Sequence, residues 1–384
     1  MKPLTQCPGC GCARLSAPWR IARQPVILNY RFLSATVAAR VARRDLCLTQ
    51  CAGCGLIFNA TFDPAVVPYD SNYENRQCCS PAFQEHLRMV ADSLLAKYHL
   101  QGSRILEVGC GKGDFLKLLC KRAKAAGVGY DTSYEGAASI SKGRVRFHRC
   151  YVAARDIRTP FDAIICRHVV EHIGDIGKFL RELHDIAAAA GDPVTIIETP
   201  AFEWIAKHGC FWDVFYEHCN YFTLPCLAYL CEQAGFRVLR QRLVFGGQYQ
   251  LLELKVRRSG HGKTRPPGIP VRLATFARKA DAKLRRMDIR LRRHGAARDW
   301  AIWGAGAKGV ALVNRLQHWP PRFVIDSNTA KQGCFVPGSR IPIIAPDDPR
   351  IRELELILIV NPNYAAEIAL TLRQVGFTHT ILTI

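Results

Sequence analysis

Apolar residues recur along this chain in blocks whose spacing switches between that of strands and that of helices. Ile105 to Val108 reads as a buried parallel strand, and Phe115-Leu116-Lys117-Leu118-Leu119 opens a helix after the turn Gly109-Cys110-Gly111-Lys112-Gly113. Gly127 to Asp131 ends a second strand on an acid. A helix over Glu135–Ser141 and a short strand near Val145–His148 come next, then a fourth strand, Phe161 to Cys166, and a fifth, Val194 to Pro200. Upstream, Phe83, Leu87, Val90, Leu94 and Leu95 keep helical spacing after Pro81. Downstream, Leu224–Ala234 leads into strands Arg237–Val244 and Tyr249–Val256, which turn at Gly246-Gly247. Strands alternating with helices predict an α/β protein built on parallel sheets.

Three further stretches break this rhythm. Residues 1–60 carry Cys7-Pro8-Gly9-Cys10 and Cys51-Ala52-Gly53-Cys54, and the gap between them predicts a small sheet or loop, with Val26–Phe32 and Ala42–Leu48 as its strands. Leu273, Phe276, Ala277, Ala280, Leu284, Met287 and Leu291 give one helix an apolar face opposite a basic one, after a linker that starts Ser259-Gly260-His261-Gly262. The last ninety residues repeat a strand, glycine turn and helix. The expected division is a cysteine module with a substrate-side loop (1–75), a central α/β domain (76–258), a basic linker and helix (259–296) and a C-terminal Rossmann-like domain (297–384).

Charge changes this picture little. The net charge is +21 over 384 residues, but fourteen Lys and Arg against two Asp put +12 of it between residues 255 and 294. A nucleic-acid partner would use that stretch. Phe276 is the lone aromatic within the basic helix, which weakens that reading beside the simpler one, a solvated face on a connecting helix. No apolar run reaches membrane-span length, and the N-terminus lacks a signal-peptide pattern. Most of the seventeen cysteines sit singly in apolar stretches, so a reducing cytoplasm is expected. Composition leaves the oligomeric state open.

The chemistry concentrates in four places. Cys7, Cys10, Cys51 and Cys54 supply four thiolates on two knuckle turns, a donor set for a structural Zn²⁺ with no open position; Cys12 and Cys47 are spare candidates. The glycine turn at 109–113 brings backbone close to a ligand at a helix N-terminus, and Asp131 stands where a carboxylate can accept ribose hydroxyls. The stretch Tyr216-Glu217-His218 puts a titratable Glu-His pair beside tyrosines, a pattern suited to proton transfer, and Tyr69 and Tyr73 line either a substrate site or the cysteine module. Finally, Gly304-x-Gly306-x-x-Gly309 with Asp326 is a dinucleotide-type fingerprint; Lys308 at its helix mouth could meet a diphosphate, and Asn361 closes a later strand on the same rim.

The spacing Glu107-x-Gly109-x-Gly111-x-Gly113 resembles the S-adenosylmethionine (SAM) site of class I methyltransferases. That resemblance implies that Glu107 and the three glycines form the cofactor loop, that Asp131 binds the ribose and that His168 stands near the transferred methyl; Glu171 and His172 read as capping and packing residues. The ordered set of Cys-x-x-Cys pairs, cofactor domain, Glu217-His218-x-x-Tyr221-Phe222, Gly246-Gly247 and the C-terminal motifs resembles the C-methyltransferases of nucleotide-linked deoxysugars. This implies carbon methylation of a nucleotide-linked keto sugar, with His218 as base, Glu217 orienting it and Tyr216, Tyr69 or Tyr73 donating to an enolate oxygen. Phe215-Tyr216 and Phe245-Gly246-Gly247-Gln248 depart from the family's residues near the sugar. The alternatives are O- or N-methylation of a related small molecule, and a zinc-containing nucleic-acid-binding protein or nucleic-acid methyltransferase.

Overall fold

A computed structural model describes residues 3–257, 266–293, 299–316 and 318–384. The Ser259–Gly262 linker lies outside them. The N-terminal module holds β1 (Trp19–Pro25), the short helix α1 (Ala35–Ala39), β2 (Arg43–Gln50) and β3 (Ile57–Asn59), with β1 and β2 antiparallel. The first strand thus precedes the expected Val26–Phe32. Val26, Ile27 and Leu28 are buried in succession, without the alternation a two-faced strand needs. The amides of Leu28 and Asn29 donate to the Glu217 carboxylate instead of to a neighbouring strand. Their segment runs beside residues 72–74, where Glu74 N donates to Asn29 O.

The central domain begins with α2 (Pro81–Tyr98), which Ser80 caps and Pro81 opens. It continues through β4 (Arg104–Val108), α3 (Asp114–Ala123), β5 (Ala126–Tyr130), β6 (Ser139–Ile140), β7 (Val145–His148), β8 (Ala163–Arg167), α4 (Ile176–Ala189), β9 (Val194–Pro200), α5 (Phe202–His208), β10 (Asn220–Tyr221), α6 (Leu224–Gln233), β11 (Phe236–Val244) and β12 (Tyr249–Val256). Its eight-stranded sheet runs β11-β12-β9-β8-β4-β5-β7-β6. The pairs among β4, β5, β7, β8 and β9 are parallel, and β12 enters antiparallel to both neighbours. The strand order reverses at β4, so a ligand crevice belongs at that strand's C-terminal end. The helix expected over Glu135–Ser141 does not form. This glycine- and serine-rich stretch has too few large apolar side chains to cover a helix face, and its Ser139–Ile140 edge pairs with β7.

The strand β10 leaves the central sheet and pairs with β3 in register Asn220↔Phe58 and Tyr221↔Ile57, completing a four-stranded N-terminal sheet. The two modules therefore share a sheet immediately after Glu217 and His218. The helix α7 (Leu273–Arg293) buries Leu273, Phe276, Ala280, Met287 and Leu291. Two of its cations have internal work: Lys279 donates to the carbonyls of Ala206 and Lys207, and Lys283 to that of His208, satisfying the end of α5. Arg278, Arg285, Arg286 and Arg290 are exposed.

The C-terminal domain has β13 (Trp300–Trp303), α8 (Ala307–Arg315), β14 (Phe323–Ile325), β15 (Ile343–Ile344), β16 (Leu356–Ile359), α9 (Ala365–Gln374) and β17 (Thr380–Thr383). All pairs in its sheet, ordered β15-β14-β13-β16-β17, are parallel. The chain is thus α/β, with a class I methyltransferase-type central sheet and a second Rossmann-like sheet. No helix among the described residues is long and apolar enough to cross a membrane.

Candidate active site

Two cavities meet at the C-terminal edge of the central sheet. The first, about 510 Å³, lies over the glycine turn after β4. Gly109, Gly111 and Gly113 all have positive φ. A Cβ on Gly109 would lie 2.3 Å from Val169 Cγ2, so this turn needs glycine twice over, for conformation and for space. A Gly109→Ala variant should therefore lose cofactor affinity about tenfold or more; calorimetry with S-adenosylhomocysteine (SAH) measures it, and wild-type affinity would show that the turn can shift. Asp131 Oδ2 accepts from Gly111 N (2.7 Å), while Oδ1 accepts from Ser133 N and Oγ. The predicted ribose acid thus also braces the loop.

The second cavity, about 240 Å³, opens between the central and C-terminal domains. Tyr73, Asn75, Arg76, Gln77, His168 and His172 line both. His218, Lys308, Asn361 and Lys331 line the second alone, and Tyr69 the first alone. The His218 ring packs on Phe215 and edge-on to His172, with centroids 4.1 and 4.7 Å away. Burial, then His172, His168 and Lys308, push its pKa well below the usual histidine value, so its imidazole is neutral at physiological pH.

Several sequence expectations change here. Glu217 does not orient His218. Its carboxylate accepts from Leu28 N (2.5 Å) and Asn29 N (3.4 Å) and from the Tyr73 hydroxyl (3.5 Å), and burial raises its pKa to about 7. Its carbonyl instead meets His172 Nδ1 (3.0 Å). Tyr216 is fully buried away from both cavities, with its hydroxyl accepting from Asp63 N and donating to Thr61 O. Tyr69 hydrogen-bonds His172 Nδ1 (3.0 Å). Lys308 pairs with the buried Asp213 (2.9 Å), so its charge is already partly compensated, and Asn361 donates to Gln248 (2.9 Å). His172, read as packing, faces both cavities.

The sequence reading also missed a buried charge network. Burial would raise the Glu198 pKa, but Arg167 and His86 hold the carboxyl well below the usual range. Arg167 Nε is 2.6 Å and His86 Nε2 2.7 Å from it. His168, at φ 53°, sits above this network with Nε2 3.8 Å from Glu198. An acid and an arginine at the ends of otherwise apolar strands were the available signal.

The two knuckles bring Cys7, Cys10, Cys51 and Cys54 together with all four Sγ atoms within 4.8 Å of one another. The Cys7–Cys54 and Cys10–Cys51 separations are 3.6 and 3.5 Å. A tetrahedral Zn²⁺ with bonds of about 2.3 Å requires sulfur separations near 3.8 Å, so the donor set fits. The amides of Gly53 and Cys54 point at Cys51 Sγ, as suits a thiolate. Cys12 and Cys47 are not part of this group.

Comparison with known proteins agrees with this architecture. The methyltransferase-domain family matches residues 82–241, and the C-methyltransferase C-terminal-domain family matches residues 272–380. The C-methyltransferase NovU of Streptomyces niveus is 28% identical over 309 residues, covering 74% of this chain and 72% of that enzyme. A ubiquinone biosynthesis O-methyltransferase of Nitrobacter winogradskyi is 38% identical over 90 residues, but these are 21% of this chain and 33% of that one. A solved structure of the Burkholderia thailandensis 1,6-didemethyltoxoflavin-N1-methyltransferase is 20% identical, with a TM-score of 0.35, and covers 45% of this chain and 78% of its own. With a methyltransferase domain followed by a C-methyltransferase C-terminal domain, the chain is a SAM-dependent C-methyltransferase.

Proposed function

We propose that this C-methyltransferase acts on a nucleotide-linked keto-deoxysugar, by enolisation and methyl transfer to carbon. The observation that carries the reading is the meeting of the two cavities at His168 and His172, with His218 reaching the second. Bound in the first cavity, SAM supplies an electrophilic methyl group. A keto group acidifies the neighbouring C–H, and neutral His218 takes that proton. Tyr73 lines both cavities, and burial beside Glu217 keeps its phenol protonated, so with substrate bound it can turn its proton from Glu217 to the developing enolate oxygen. Asn75, Arg76 and Gln77 line both cavities, and Gly304, Gly306 and Lys308 of the C-terminal domain line the second.

The nucleotide end is assigned to the C-terminal rim. Gly304–Ala307 leads into the N-terminus of α8, which favours an anion, and buried Lys331 stands beside it. Gly309 lets that helix pack tightly, since a Cβ there would lie 1.8 Å from Gly304 O. The four cysteines are proposed to hold a structural Zn²⁺ away from the chemistry.

Two measurements test this reading. Nucleoside diphosphates titrated into SAH-saturated protein should reveal one that binds with micromolar affinity. A keto-sugar substrate incubated with enzyme and SAH in D₂O should exchange the proton at the reacting carbon. Substrate turnover with no solvent exchange would favour O- or N-methylation, in which no carbanion forms. Absence of diphosphate binding would remove the nucleotide-sugar assignment.

A further inference from the structure

Two side chains in the second cavity carry lone pairs that the rest of the protein does not use. Glu171 is 2% exposed, and its Oε2 accepts from the Thr199 hydroxyl (2.8 Å), while Oε1 is buried and finds no hydrogen-bond partner among the described residues. The His218 ring packs on Phe215 and His172 without a hydrogen bond among the described residues. An unmet carboxylate oxygen in a buried position is costly unless a bound group satisfies it. Glu171, which reads from the sequence as a capping residue, thus lines the second cavity with His172 and His218.

The fold brings these three residues together from two separate segments. Glu171 and His172 lie on the single helical turn Val170–His172 that follows β8, and His218 stands two residues before β10. Asn220 clamps the segments, its Nδ2 donating to Val170 O (3.2 Å) and Ile173 O (2.7 Å). One ligand atom from each of Glu171, His172 and His218 then lies within 4.8 Å of the others. The tautomer of His172 is fixed as well. Its Nδ1 is 3.0 Å from Glu217 O, and a carbonyl only accepts, so Nδ1 carries the proton and Nε2 keeps its lone pair. A ring N–H on a backbone carbonyl with the other nitrogen bare is the arrangement that metal-ligating imidazoles adopt. Lys308, a cation in the same cavity, is already paired with Asp213 at 2.9 Å.

We propose that Glu171, His172 and His218 form a second metal site, one that takes exchangeable Zn²⁺ and stops turnover while it is filled. Two imidazoles and a carboxylate suit Zn²⁺ better than Mg²⁺ or Ca²⁺, which seek oxygen donors. Bonds of about 2.1 Å require donor separations near 3.4 Å, so the three side chains draw together on the ion. That movement suits an ion that comes and goes, in contrast to the cysteine cluster, whose sulfurs already stand close to tetrahedral spacing. An ion here occupies the His218 lone pair and part of the substrate's space, whereas Glu171 and His218 lie outside the first cavity. The inhibition rests on the reading of His218 as base; the binding does not.

Protein that holds its cysteine-bound zinc should take up one further Co²⁺ per chain with micromolar affinity. The visible absorption should lack the thiolate charge-transfer bands that exchange into the cysteine cluster would produce. Glu171→Gln and His218→Asn should each weaken this uptake by about tenfold or more. The amide of Glu171→Gln still accepts from Thr199, so its loss of Co²⁺ reports the missing ligand and not a disturbed fold. Zn²⁺ added to the wild-type enzyme should lower turnover over the same concentration range, in competition with the sugar substrate and not with SAM. A chelator too weak to empty the cysteine cluster should restore it, and SAH affinity should stay within about threefold throughout. No further Co²⁺ at millimolar concentration would overturn the site. Uptake that both variants leave unchanged would put the ion elsewhere and overturn it as well. Uptake that both variants abolish, with turnover undiminished by Zn²⁺, would overturn the inhibition and remove His218 as base, while the metal site itself would stand.

Discussion

Replacing His218 with asparagine is expected to lower methyl-transfer turnover by roughly 10²- to 10⁴-fold, the range a general base contributes. SAH affinity should stay within about threefold, because His218 lines the second cavity and not the first. The ring has no hydrogen-bond partner among the described residues, so its lone pair is not already engaged. Burial with neighbouring imidazoles and Lys308 holds its pKa low. A low pKa makes a weaker base but a fully unprotonated one at neutral pH. The acid limb of the rate profile should therefore fall below pH 6.5, because protonation, which abolishes the base, needs more acid than usual. Unchanged turnover would remove His218 from the mechanism. Glu171, His172 and His218 also bring potential ligand atoms within 4.8 Å of one another. A turnover that required an added divalent cation would reassign His218 from base to metal ligand.

What was legible in the sequence follows periodicity and turn chemistry. The glycine turn, the strands at 105–108, 161–166 and 194–200 and the two cysteine knuckles each carry local rules strong enough to survive folding. The pairing of Glu217 with His218 was not local in the same way. Glu217 sits in a turn and His218 directly after it, so adjacency in sequence does not aim their side chains at one another. Glu217 accordingly turns towards Leu28 and Asn29, some 190 positions away, while His218 turns towards the cavity. The same long-range demand converts Val26–Phe32 from strand to irregular chain. Arg167, Glu198 and His86 come from three separate elements, and only the sheet brings them together.

Removing the metal from the cysteine cluster, or replacing Cys51 with serine, should separate the two halves of the site. Wild-type protein should contain one zinc per chain by elemental analysis, and Cys51→Ser should contain almost none. Structural zinc contributes about 10–16 kcal/mol of apparent binding energy in small metal-dependent domains. Even a fraction of this should lower the melting temperature by at least about 10 °C. The loss should not stay within the module. The cluster docks on the central domain, where Gly177 N donates to Pro8 O and Gly9 lies against Leu230. Between cluster and active site, β3 pairs with β10, Asn59 N donates to Cys219 O (2.8 Å), and the 28–29 amides hold Glu217, which holds Tyr73. Loosening this module frees residues 217–221 and Tyr73, the substrate half of the site. The glycine turn and Asp131 follow β4 and β5 of the central sheet and touch the module through Lys112 on Ser71 O and Thr132 on Tyr69 O. Methyl transfer should therefore disappear while SAH affinity falls less than about tenfold. Full activity in zinc-free protein would assign these thiols a redox or packing role, and equal loss of turnover and SAH binding would show that the central domain cannot hold its cofactor loop without the module.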